Sequence, residues 1–137
     1  MEYIGTYDNI SYYNDTIATI PEATINAIKT IKNVDTLIFG GMDRKIDYKD
    51  FILFLKDSYI NNFICMPSTG TKIGKILERE TKKNIYFVDN LEDAYKISKE
   101  KTEKDKSCLL SPAASSYEYF KNFEEKGKIF ERLVKKG

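Results

Sequence analysis

Chemistry-bearing residues fall in four short stretches. In "SPAASSYEYF", Ser115 and Glu118 have capping-box spacing, which makes Ser115 the N-cap of a helix. Ser116 and Tyr117 then occupy first-turn positions, whose backbone N–H groups have no intrahelical acceptor. Those donors, the helix dipole and the Ser116 hydroxyl form a receptor for a carboxylate or phosphate, and Ala113 and Ala114 leave its approach uncrowded. In "FGGMDRKID", Gly40-Gly41 permits a tight turn, and Arg44 among Asp43, Lys45 and Asp47 offers a two-pronged grip on a carboxylate. A surface turn explains the same residues. In "YYNDTIATIPEA", Thr19 and Glu22 again have capping-box spacing with Pro21 between them, while Asn14-Asp15-Thr16 suits either a turn or a ligand contact. The fourth stretch, "STGTKIGK", never satisfies the GxxxxGK[ST] pattern, so the chain has no phosphate loop of that kind.

Positioning these stretches requires a scaffold. "EYIGTYD" and "ISYYND" read as a hairpin turning at Asp8-Asn9. Four short apolar runs follow at 35–40, 62–67, 84–89 and 107–111. Amphipathic helices are expected at 20–32, 48–58, 71–82, 91–101 and 116–135, with Phe120, Phe123, Phe130 and Val134 on a core face and Gly127 breaking the last helix. Continuous apolar strands alternating with helices indicate strands covered on both faces. The expectation is a single α/β domain: a Rossmann-like, three-layer fold with a mostly parallel sheet and an N-terminal β-hairpin at one edge. In such sheets ligands lie at the carboxyl ends of the strands, where all four stretches fall.

A chain of 137 residues with net charge +1 carries no strong footprint for nucleic acid. It has no apolar run of the ~18–20 residues needed to cross a bilayer. Its start lacks a signal-peptide pattern. Cys65 and Cys108 sit in apolar runs as core thiols, and with no histidine no metal site is expected. A cytoplasmic monomer that contacts neither nucleic acid nor membrane is the expectation.

Three blocks in order, "YYNDTIATIPEATINAI", "LIFGGMDRKIDYKDF" and "LLSPAASSYEYFKNFEEKGKIF", make the chain resemble the C-terminal domain of the bacterial Mur ligases. The likeness spans essentially the whole chain, and the last block resembles the D-glutamate-adding members in particular. The resemblance implies an ATP- and Mg2+-dependent synthesis of an amide bond. The carboxylate of UDP-N-acetylmuramoyl-L-alanine becomes an acyl phosphate and the amino group of D-glutamate attacks it. It further implies D-glutamate contacts from Ser116, Tyr117, Arg44, Thr19 and Phe123, with Asp15 facing the nucleotide ribose. Ile17 stands where many relatives have lysine. No catalytic residue, ATP or Mg2+ is expected on this chain itself, because the central ATP-binding and N-terminal UDP-binding domains are absent from it. Two alternatives follow: a standalone small-molecule-binding or regulatory module with this fold, and a ligase domain for another dicarboxylic amino acid.

Overall fold

Strands buried along their whole length explain why one sheet holds the chain together. The computed structural model describes residues 1–43, 45–114 and 123–137, the last range without the side chain of Phe123. Its elements run β1 (Glu2–Tyr7), β2 (Ile10–Asn14), α1 (Pro21–Ile31), β3 (Val34–Phe39), α2 (Lys49–Asp57) and β4 (Asn62–Cys65). They continue with α3 (Thr69–Glu80), β5 (Asn84–Phe87), α4 (Leu91–Lys101), β6 (Ser107–Leu110) and α5 (Phe123–Lys136). One six-stranded sheet has the order β1-β2-β6-β3-β4-β5, in which only the β1/β2 pair is antiparallel. The hairpin therefore forms one edge, as expected. Its loop is Asp8-Asn9, and both residues have positive φ (52° and 65°), as a two-residue type I′ connection requires.

Every residue of β3, β4 and β6 is buried. Successive side chains point to opposite faces, so each strand feeds two cores. Leu37, Phe39, Phe63, Cys65 and Leu109 pack with Ile28 of α1, Phe51 and Leu55 of α2, and Ile73 and Leu77 of α3. Ile38, Ile64, Cys108 and Leu110 pack on the other face with Ala94 and Tyr95 of α4 and Phe130 and Val134 of α5. Burying each such side chain contributes on the order of 1.5–3 kcal/mol. Both cysteines are free and buried core thiols.

Two local expectations are corrected. Thr19 does not cap α1: the N-cap is Ile20, with no side-chain cap hydrogen bond, and Pro21 begins the helix. The physical reason lies one residue earlier, where the Ala18 carbonyl accepts from Ala113 N–H at 2.9 Å and ties this loop to the end of β6. Gly127 does not break the last helix either; it lies inside α5. A Cβ there would sit 2.6 Å from Asn14 Nδ2 and 2.9 Å from Thr16 Oγ1, so the glycine lets α5 approach the end of β2. The cap proposed at Ser115 lies outside the described residues. Among those described, no helix is long and apolar enough to cross a membrane.

Candidate functional site

The connection leaving β3 runs to α2 on one face of the sheet, and the one leaving β6 leads toward α5 on the other. Adjacent strands whose connections diverge open a crevice at their carboxyl ends. Three loops meet there through backbone hydrogen bonds. Asp15 N–H donates to Leu110 O at 2.8 Å, Gly40 N–H to Pro112 O at 2.9 Å, and Ser111 N–H to Ile38 O at 3.0 Å. The Gly41 carbonyl accepts from the N–H groups of Ser68 and Thr69, each at 3.0 Å, and from Thr69 Oγ1 at 2.8 Å. Gly40 has φ 122°, and any Cβ there would run into the Met66 carbonyl oxygen, so this turn accepts only glycine.

Asp15 is 6% exposed, and its Oδ2 accepts from Ser111 Oγ at 3.1 Å. Ser111 Oγ is in turn 2.8 Å from Thr24 Oγ1, which links α1, β6 and the end of β2 in one buried relay. The Met1 amino group lies 3.6 Å from Asp15 Oδ1. Burial raises the Asp15 carboxyl above its ordinary range, and the Ser111 hydrogen bond and Met1 charge only partly offset this. Asp43 follows Gly40-Gly41 on the connection leaving β3. Its carboxylate pairs with Lys72 of α3 and accepts from Lys45 N–H at 2.9 Å, and the Lys72 hydrogen bond holds it below the usual carboxylate range.

Of the sequence-derived candidates, the structure brings Asp15 and the half-buried Thr19 to the crevice rim, on the loop joined to Ala113. Arg44, Ser116 and Tyr117 lie outside the described residues. Phe123 is described only as the first residue of α5. In the sequence Asp43 and Lys45 flank Arg44, and Ala114 precedes the serines. A recess of about 390 Å³ beside them is lined by Asp43, Lys45, Tyr48, Thr69 and Lys72, among others.

Sequence reasoning missed Lys126. It is 1% exposed, and its Nζ donates to Gly40 O at 3.2 Å. Burial lowers its ammonium pKa to about 8. Lys126, Phe130 and Val134 share i, i+4, i+8 spacing and hence one helix face. That stripe was the available signal. Ser111 and Thr24 carried none, since isolated hydroxyls in apolar segments have no pattern.

No family model matches the chain. It is 37% identical over 136 residues to the UDP-N-acetylmuramoylalanine–D-glutamate ligase of Caldanaerobacter subterraneus subsp. tengcongensis, covering 98% of this chain and 30% of that protein. The chain thus spans about a third of the length of the curated relatives it matches. Among solved structures it resembles UDP-N-acetylmuramate-alanine ligase MurC from Thermotoga maritima, with TM-score 0.62 and 17% identity over 99% of this chain and 30% of that one. It also resembles E. coli FolC in complex with ADP, with TM-score 0.59 and 16% identity over 95% of this chain and 30% of that one. At such identities the two structures speak to the fold alone. Over 98% of its length the chain is thus similar to a segment of UDP-N-acetylmuramoylalanine–D-glutamate ligases, and it shares its fold with Mur ligase structures.

Proposed function

We propose that this chain is the D-glutamate-receiving domain of an ATP-dependent ligase that extends UDP-N-acetylmuramoyl-L-alanine in cell-wall precursor synthesis. The observation that carries the reading is the convergence at one crevice of the loops bearing Thr19, Arg44 and the 111–114 turn that leads to Ser116 and Tyr117. D-Glutamate has two carboxylates and one amine. Two separated anion receptors fit it: Arg44 for one carboxylate, and the Ser116 hydroxyl with the Ser116 and Tyr117 N–H groups for the other. Thr19 and Phe123 complete the lining. Held at both ends, the amino acid presents its amine in one orientation, and orientation is what these residues contribute to rate. The neutral amine attacks the activated alanyl carbonyl, the C–N bond forms, the bond from that carbon to the phosphate oxygen breaks, and inorganic phosphate leaves while the nitrogen gives up one proton to solvent or the departing phosphate.

The described residues do not fit ATP or Mg2+ as a site of their own. Among them no three His, Cys, Asp or Glu side chains are grouped to hold a metal ion. The Asp15 carboxylate is buried and accepts from Ser111, so it reaches a ribose only if that surrounding opens. In this reading nucleotide binding, activation of the alanyl carboxylate and the UDP moiety fall to the remaining two-thirds of such an enzyme. A cytoplasmic, monomeric protein is the setting this reading implies. In a full-length ligase carrying this domain, Arg44→Ala should raise the KM for D-glutamate by about 10- to 100-fold while the KM for ATP stays within about twofold. Equal increases for both substrates would remove Arg44 from the receptor.

A further inference from the structure

The buried lysine of α5 occupies the position where strand ends and helix meet. Lys126 lies on the stripe of Phe130 and Val134, both wholly buried, and donates to the Gly40 carbonyl at 3.2 Å. Burying an ammonium is costly, and an apolar residue of similar volume often serves packing as well or better. Among its contacts, the lysine has one that methionine cannot make, a hold on the Gly40 carbonyl. That carbonyl belongs to the most constrained residue of the crevice: Gly40 also donates to Pro112 O at 2.9 Å and has a φ of 122°. The next residue of α5, Gly127, lies against Asn14 and Thr16 at the end of β2. Consecutive residues of one helix thus lock onto the ends of β3 and β2, the two strands whose loops carry Arg44 and Thr19. The same helix follows directly after the segment that carries Ser116 and Tyr117.

We infer that Lys126 is a positioning residue for the amino-acid substrate, fixing the Gly40-Gly41 turn, from which the Arg44 loop departs, in register with α5. The inference rests on the D-glutamate reading above. Lys126 acts through the turn, since its side chain is 1% exposed and its ammonium donates to the Gly40 carbonyl.

The test is steady-state kinetics of a full-length ligase carrying this domain, with Lys126→Met, Lys126→Gln and Lys126→Arg. Lys126→Met should raise the KM for D-glutamate about tenfold or more, with the KM values for ATP and the UDP precursor within about twofold, and Lys126→Arg should recover most of the loss. Lys126→Gln, a second neutral variant, decides the matter on the same split where the methionine variant does not fold. An unchanged D-glutamate KM overturns the proposal. So do parallel increases for all substrates, failure of arginine to rescue, or loss of folding in both neutral variants, each of which leaves a structural role. A wild-type enzyme without D-glutamate-dependent phosphate release would instead sink the substrate reading, whatever the Lys126 variants do.

Discussion

Lys126 shows how burial and charge trade at a single residue. Its pKa falls from an ordinary 10.5 to about 8 because desolvation penalises the ammonium. Between those values the unfolded chain binds more protons at this residue than the folded one, so raising the pH through that window stabilises the fold. The penalty is fully present below about pH 8 and is relieved as pH climbs toward 10.5. Urea midpoints of wild type and Lys126→Met, measured from pH 7 to 9.5, should therefore converge as pH rises if the variant is the more stable, or diverge if it is the less stable. A pH-independent difference would show that the lysine is not desolvated as described. Asp15 presents the opposite sign, since burial raises a carboxyl and charging it costs stability. Asp15→Asn should leave thermal stability at pH 7 unchanged or higher, and a fall of several degrees would mean that the Ser111 hydrogen bond outweighs desolvation. These residue-level features were the least legible in the sequence. A charged run gives no sign of which lysine turns inward until Phe130 and Val134 fix the helix face, and Ser111 and Thr24 have no periodicity at all.

Among the elements, strands and helices were legible because their periods differ. Runs such as "DTLIFG" hold consecutive apolar residues in a short segment bounded by turn residues, which suits a strand covered on both faces. Glycine was harder to interpret. Gly74, in "KIGKIL", invites comparison with a phosphate loop, and Gly127 looks like a helix end. Both instead sit inside helices where another element comes close. A Cβ at Gly74 would lie 2.6 Å from Cys65 Sγ and 2.8 Å from Phe87 Cε1, pressing α3 off β4 and β5. Gly74→Ala gains about 1 kcal/mol of helix propensity but overpacks a filled core at about 1–3 kcal/mol. The net effect should be destabilisation of up to about 2 kcal/mol in chemical denaturation. A stabilised variant would show that α3 can move away freely. The false capping box at Thr19 has a similar origin: spacing alone cannot reveal that Ala113 takes the Ala18 carbonyl and lets Pro21 open the helix.

For the whole molecule, the sheet gathers loops that are far apart in sequence, 15–19, 40–43 and 111–114, at the carboxyl ends of the strands. The general location of the site could be inferred from the sequence because loops following parallel strands share one end of a sheet. The Ser111 relay and the Lys126 contact, which join those loops, emerged only in three dimensions. A receiving domain that activates nothing should show no phosphate release from ATP on its own, with or without D-glutamate. The same assay on a full-length ligase carrying it should give release that depends on D-glutamate and the UDP precursor. The central claim, that this chain holds the D-glutamate receptor, is tested most directly by titrating it with D-glutamate and with L-glutamate while following backbone amide resonances. Saturable shifts at Thr19, Gly41, Arg44, Ser116 and Tyr117 with the D-enantiomer, and much weaker ones with the L-enantiomer, are the predicted result. Absence of any shift at those amides, or equal shifts with both enantiomers, would contradict it.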